Sequence, residues 1–292
     1  MDNSLLFGSH IIVQGITGKQ GSFHTKAMLD SGTKIVAGVS PNKSVADVHG
    51  VPVFDSIAAI KKQYPIDTSV IFVPAPHAKA AIFEAIDQRI PLIICITEGI
   101  PIHDMRVIKK KLAGSTSKLI GPNSPGILLP GLHRLGIIPH RLSLSGSTAI
   151  VSRSGTLTYE VMAGLTSRGI GQRYIIGIGG DPIKGAGFTE CLALFNSDPE
   201  VSQIVLVGEI GGHEELKAAD YIKVYVQKPL YGYIAGHSAP FGVQLGHAGA
   251  ILGSDMESAQ AKTKALRSAG VTMFESVHEL IGQVPHEPRS VV

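Results

Sequence analysis

Short β-branched runs, each closed by Gly, Pro, Ser or Asn and each followed by a segment of helical periodicity, recur along the chain and restrict it to alternating βα architecture. In the first half the runs fall at 10–14, 34–39, 69–73, 92–96 and 118–120, with amphipathic segments near 20–31, 57–63, 78–88 and 103–112. Val70-Ile71-Phe72-Val73 and Leu92-Ile93-Ile94 are continuous rather than alternating, as parallel strands covered on both faces require. From 121 to 147 the periodicity fails amid Pro122, Pro125, Pro130, Pro139 and five glycines, which predicts a connecting segment. A second series follows, with strands at 148–152, 174–178, 203–207, 230–235 and 271–274, and helices near 155–168, 187–197, 213–226, 256–269 and 276–282. The expectation is α/β, two doubly wound domains: 1–124, a connecting segment 125–146, and 147–292.

Composition agrees and excludes other classes. A chain of 292 residues that is 44% hydrophobic and only 17% charged has the apolar surface for sizeable cores, which excludes disorder, and its length suits about two domains. The net charge of +3 comes from 26 basic and 23 acidic residues without long runs, which argues against a nucleic-acid or membrane-surface binder. Lys109-Lys110-Lys111, the longest basic stretch, reads as one solvated helix face. Cys95 and Cys191 lack any zinc or disulfide spacing and read as reduced core residues. Met1-Asp2-Asn3-Ser4 carries an acid where a signal peptide wants positive charge, and no run of about 18 apolar residues occurs. A soluble, cytoplasmic protein is expected.

Gly15-Ile16-Thr17-Gly18-Lys19-Gln20-Gly21 places glycines every three residues as the first strand turns into a helix. Such a loop brings backbone N–H groups and a helix N-terminus to a phosphate, although close helix–strand packing alone also accounts for it. An NAD enzyme would carry an acid at the end of the second strand; here the chain reads Ser40-Pro41-Asn42-Lys43. Lys43 suits a phosphorylated ribose, in NADP or in coenzyme A. Pro74-Ala75-Pro76-His77 and Thr97-Glu98-Gly99-Ile100-Pro101 follow the third and fourth strands, on the edge where open α/β sheets bind ligands.

The strand ends of the second half are rich in Gly and small polar residues. Ser154-Gly155-Thr156 opens a helix, and its unpaired N–H groups and hydroxyls form an anion cradle or a plain N-cap. Beyond the fourth strand, Gly246-His247-Ala248-Gly249 sets a histidine on a compact loop. Imidazole is nucleophilic near neutral pH and can hold a phosphoryl group between two half-reactions. Glu209 is placed to orient one ring nitrogen, leaving the other to attack; His237 is the chief competitor among the 12 histidines, and His24 and His77 are alternatives for lining the first-domain site.

Seven blocks carry a resemblance: GITGKQGSFH at 15–24, ITEGIP at 96–101, GPNSPG at 121–126, IVSRSGTLTY at 150–159, GIGGDP at 177–182, GEIGG at 208–212 and GHAGAI at 246–251. In order and spacing the chain resembles the succinyl-CoA synthetase (succinate–CoA ligase) alpha-subunit family over essentially its whole length. The resemblance implies a Rossmann-like CoA-binding domain followed by a flavodoxin-like ligase domain. It implies that Thr17, Gly18, Lys19, Gln20, Lys43, Ile96, Thr97 and Glu98 contact coenzyme A, and that Tyr159 lies by the acid. It further implies that His247, supported by Glu209, is transiently phosphorylated and held by Ser154, Gly155 and Thr156. ATP or GTP and Mg²⁺ would come from an ATP-grasp beta subunit in an αβ or α2β2 assembly. The chain itself shows no P-loop and no evident carboxylate cluster for a metal.

Two departures bear on substrate. Phe241, Val243 and Gln244 stand where the family carries basic residues before the histidine, and Gly253-Ser254-Asp255-Met256-Glu257 replaces a Gly-Gly-Lys-Gly character. These leave open a paralogous ligase for another acid such as malate, or a CoA-binding subunit without catalysis. An NADP-dependent oxidoreductase is the remaining alternative, and it leaves the second-domain loops without a role.

Overall fold

The structure, a computed structural model, describes residues 8, 10–41 and 45–286. Its first sheet is built from β1 (Ile11–Gln14), β2 (Ile35–Val39), β3 (Asp47–Val48), β4 (Val51–Phe54), β5 (Thr68–Ile71), β6 (Leu92–Cys95) and β7 (Lys118–Ile120) in the order β3-β4-β2-β1-β5-β6-β7. All pairings are parallel except the short β3–β4 hairpin at the edge. Helices α1 (Lys19–Asp30), α2 (Ile57–Ile60), α3 (Ala75–Asp87) and α4 (Ile102–Ala113) connect the strands. Residues of β1, β5 and β6 are fully buried, as their continuous apolar runs predict. Helix α3 shows why these segments are helical. Ala78, Ala81, Ile82, Ala85 and Ile86, three and four apart, form its buried stripe, and each buried isoleucine contributes about 1.5–3 kcal/mol.

The second sheet follows the order β14-β13-β12-β10-β11-β8-β9. Its parallel part comprises β10 (Ser145–Ser152), β11 (Gln172–Gly177), β12 (Gln203–Glu209), β13 (Leu230–Ala235) and β14 (Thr272–Met273), which is the flavodoxin-type winding. The covering helices are α5 (Gly155–Ser167), α6 (Phe188–Ser197), α7 (Glu214–Tyr225), α8 (Ala259–Ser268) and α9 (Val277–Gln283). Helix α8 begins at 259, later than the periodicity suggests, because the Ser258 hydroxyl accepts from the Ala261 N–H and caps it there.

The stretch 125–146, read from sequence as a connection, instead holds two strands. β8 (Gly126–Leu129) and β9 (His133–Gly136) form a hairpin, and β8 pairs antiparallel with β11 to extend the second sheet. Its prolines and glycines punctuate the strands and hid their period. The hairpin also joins the domains: the Thr33 hydroxyl after α1 donates to the Arg134 carbonyl and accepts from the Arg134 N–H. One apolar cluster runs from Ile11 and Met28 through Ile127 and Leu135 to Ile176. Cys95 and Cys191 are buried free thiols; burial pushes Cys95 up to about 12 and Cys191 upward as well. Among the described residues no helix is long and apolar enough to cross a membrane.

Candidate active site

Each sheet has one point at which its winding reverses, between β1 and β5 in the first and between β10 and β12 in the second. Loops leaving the carboxyl ends of strands part there and open a crevice.

In the first domain the crevice is a cavity of about 630 Å³. Gly15, Thr17, Gly18, Lys19 and Gln20 line it from the turn after β1, with Ser40 and Pro41 after β2, and Phe72, Val73 and Pro74 after β5. The turn is tight because Gly21 packs against the strand end: a Cβ there would stand 2.0 Å from the Gly15 carbonyl oxygen. Helix α1 has no side-chain cap, so its first-turn N–H groups remain available to an anion. Thr17 and Ser40 hydroxyls meet at 2.8 Å and tie the two turns together. His77 lines the cavity whereas His24 stacks on Phe72 with ring centroids 5.5 Å apart. Burial, aided by the Arg134 charge, holds His24 neutral with a pKa of about 4. Lys43 lies outside the described residues. Ile96, Thr97 and Glu98 follow β6. The Thr97 hydroxyl donates to the Val73 carbonyl at 2.6 Å, and Glu98 lines a second cavity of about 260 Å³ with Asp181, Gln244 and Ala248. That cavity reaches from the first domain to the loop of His247.

At the second crevice His247 meets Glu209, its Nδ1 lying 2.7 Å from a carboxylate oxygen. The contact raises the His247 pKa above its usual value, against the opposing effect of burial. The ring packs on Gly180, where a Cβ would stand 2.3 Å from the imidazole Cγ, so only glycine leaves room for it. The Gly249 N–H donates to the Gly180 carbonyl at 3.0 Å and pins the loop. With Nδ1 engaged by a carboxylate, Nε2 is the nitrogen left to act as a nucleophile. Ser154 is the N-cap of α5 and its hydroxyl accepts from the Leu157 N–H at 3.3 Å, so it serves the capping role. Gly155 and Thr156 supply the N–H groups of the first turn, whose positive end suits an anion. Tyr159, one turn along, is half-buried beside Arg134; burial raises its phenol pKa against the pull of that guanidinium.

Sequence reasoning assigned no role to the charges beneath this pair. Arg153, Glu215 and Lys262 are at most 2% exposed. The Lys262 ammonium donates to the Glu209 and Gly211 carbonyls at 2.7 Å and to Glu215 at 2.5 Å. Arg153 donates to Glu215 at 3.0 Å and to the Gly211 carbonyl at 2.8 Å. Another Arg153 nitrogen lies 3.1 Å from the second Glu209 oxygen, an ion pair whose angle falls short of a hydrogen bond. Burial works to raise the Glu215 pKa, but Arg153 and Lys262 overcome it and hold the carboxyl ionised. Lys184 is buried close to the same charges; burial and the Arg153 charge lower its pKa to about 8 against Glu215, Glu214 and Glu209. A signal for two of the three existed. Lys262 falls on the buried stripe of α8 with Ala259 and Leu266, and Glu215 on that of α7 with Ala218 and Ile222.

Two family models match, a CoA binding domain over 8–99 and a CoA-ligase domain over 151–272. The chain is 46% identical over 286 residues to succinate–CoA ligase [ADP-forming] subunit alpha 1 of Archaeoglobus fulgidus, covering 97% of this chain and 98% of that one. It belongs to the succinate–CoA ligase alpha-subunit family. The subunit alpha of Aquifex aeolicus is 48% identical over 268 residues, covering 91% of this chain and 88% of its own. Among solved structures, ATP citrate lyase from Methanothrix soehngenii, in complex with citrate and coenzyme A, superposes with a TM-score of 0.85 at 26% identity. The match covers 95% of this chain and 49% of that one, so this family member spans about half the lyase chain. Both points of winding reversal fall inside the matched domains.

Proposed function

We propose that this chain is the alpha subunit of a nucleotide-dependent succinate–CoA ligase that holds coenzyme A in the first crevice and carries a transient phosphoryl group on His247. The observation that carries the reading is the 2.7 Å contact of His247 with Glu209 at the reversal of the second sheet. In the first half-reaction neutral Nε2 attacks the terminal phosphorus of ATP or GTP, the diphosphate leaves, and the Nδ1 proton stays on its hydrogen bond to Glu209. The N–H groups at Gly155 and Thr156 suit the phosphoryl oxygens. An oxygen of the dicarboxylate then attacks phosphorus, releasing His247 and forming an acyl phosphate, with Tyr159 by the acid. Finally the CoA thiol attacks the acyl carbon, the carbon–oxygen bond to phosphate breaks, and the departing phosphate takes up the thiol proton. Positioning carries most of the catalysis.

The nucleotide and Mg²⁺ belong, on this reading, to an ATP-grasp beta subunit in an αβ or α2β2 assembly. For coenzyme A the first crevice offers Thr17, Gly18, Lys19 and Gln20; Ile96, Thr97 and Glu98, which follow β6, and Lys43 keep the CoA contacts that the family resemblance implies. The walls of Val39, Phe72 and Val73 suit an elongated, partly apolar ligand.

One observation bears on which acid is used. Gln244 lines the cavity shared by Glu98 and Ala248, and Phe241 and Val243 beside it are exposed, where basic residues would attract a dicarboxylate more strongly. A ligase for another acid such as malate has the same machinery. Reconstitution with the beta subunit and a panel of succinate, malate, itaconate and citrate tests both readings. Acyl-CoA formation with succinate above the others supports the first, preference for another acid the second, and none with any acid refutes both.

A further inference from the structure

A cleft of about 290 Å³ opens on the far side of α8 from the buried charge network. It sits at the carboxyl ends of two strands: His237 is two residues beyond β13 and Glu275 two beyond β14. Neither His247 nor any residue of the first-domain crevice lines it.

Thr263, 4% exposed, lines this cleft, and its buried hydroxyl has no partner. The buried Nε2 of His237 has none either, while its ring lies on Tyr233 with centroids 6.4 Å apart. Native proteins rarely leave buried polar atoms unpaired, so two orphans on residues that line one cleft point to a missing group. The remaining chemistry selects its type. Lys264 is exposed and makes no ion pair among the described residues. Arg267 pairs with Glu275 at 2.7 Å through one nitrogen, leaving further N–H groups of its planar fork for another acceptor. Two cations face one carboxylate and the negative end of α8, which carries about half a charge. A positive surplus remains, and four donors are unengaged, a hydroxyl, an imidazole nitrogen, an ammonium and a guanidinium, beside two acceptors, the second Glu275 oxygen and the Gln260 amide oxygen.

We propose that the cleft formed by His237, Thr263, Lys264 and Arg267 is a binding site for a small multivalent oxyanion, a phosphate or a polycarboxylate. The site is separate from the catalytic crevices but shares α8 with Lys262, whose ammonium anchors the Glu209 and Gly211 carbonyls. An anion seated there holds the helix that supports the catalytic pair.

The test is calorimetric titration of the full-length chain, saturated with coenzyme A to fill the first crevice, using inorganic phosphate in one arm and citrate in the other at constant ionic strength in chloride. Because phosphate also suits the first turn of α5, the decisive quantity is the difference between wild type and Lys264→Ala/Arg267→Ala. These positions are exposed, and circular dichroism checks that the fold is kept. At least one anion should give a saturable isotherm in wild type and bind about tenfold or more weakly in the variant, the loss expected for charge-assisted hydrogen bonds. Thr263→Val should weaken it by a smaller factor. Phosphate alone, or citrate alone, responding identifies the class. Identical isotherms in wild type and variant, or no saturation beyond the chloride control, overturn the proposal and leave the cleft a hydrated surface feature.

Discussion

The two crevices occupy equivalent positions, at the winding reversals of two parallel sheets, yet they are built from opposite materials. The first is walled by Val39, Phe72, Val73, Pro74 and Ala81, with the turn at Gly15–Gln20, Ser40 and His77 as its polar lining. The second rests on Arg153 and Lys262, both buried and both paired with the buried Glu215, with Glu209 and His247 above them. On the proposed function, the difference separates holding a ligand from doing chemistry. An apolar wall with a few donors binds a long molecule without altering its charge. A dry, fixed set of charges holds a nucleophile in one orientation and protonation state while bonds change.

Substitutions that act on one crevice and spare the other test this division. The largest effect is expected from His247→Asn, which should reduce covalent phosphorylation to background while leaving CoA affinity within about twofold, as for independent sites. Next is Lys262→Met, which removes one of the two cations paired with Glu215 and the anchor of the 209–211 turn. Breaking a buried pair in this way costs roughly 3–5 kcal/mol, read by urea unfolding.

Glu209→Gln should slow phosphorylation by roughly 10²-fold, the scale of a positioned proton-handling group. Its pH signature has a definite sign. Only neutral imidazole attacks, and Glu209 raises the His247 pKa, so the wild-type rate should climb with pH through an inflection above the ordinary histidine value. In Glu209→Gln that inflection should move to lower pH; an unmoved inflection would show that another group titrates. The smallest effect belongs to the first crevice. Gly21→Ala pushes a methyl into the Gly15 carbonyl and should weaken CoA binding about tenfold by calorimetry, with phosphorylation of His247 unchanged.

How much of this was legible in sequence follows the same division. The turn at Gly15–Gly21 and the pairing of His247 with Glu209 could be read because chemistry and glycines stood together in short blocks. The sheets could be read because continuous β-branched runs have few other uses. The charge network could not, since Arg153, Glu215 and Lys262 are separated by 62 and 47 positions and meet only when β10, α7 and α8 are packed. Each charge on a buried stripe looks like a flaw in the helix until its partner is known. The β8–β9 hairpin escaped for a different reason: it is an antiparallel addition to a parallel sheet, and Pro125 and Pro130 at its ends look like breaks. Ser154 was legible as a helix start, and its hydroxyl acts as the cap.

The central claim is that His247 is the covalent relay between the nucleotide of a partner subunit and the acid. Incubation of the reconstituted enzyme with terminally labelled nucleotide and Mg²⁺, followed by acid and base treatment, tests it most directly. The predicted result is an acid-labile, base-stable label on this chain, absent from His247→Asn and discharged by succinate with CoA. Label that persists in His247→Asn, or acyl-CoA formed by that variant at the wild-type rate, would contradict it.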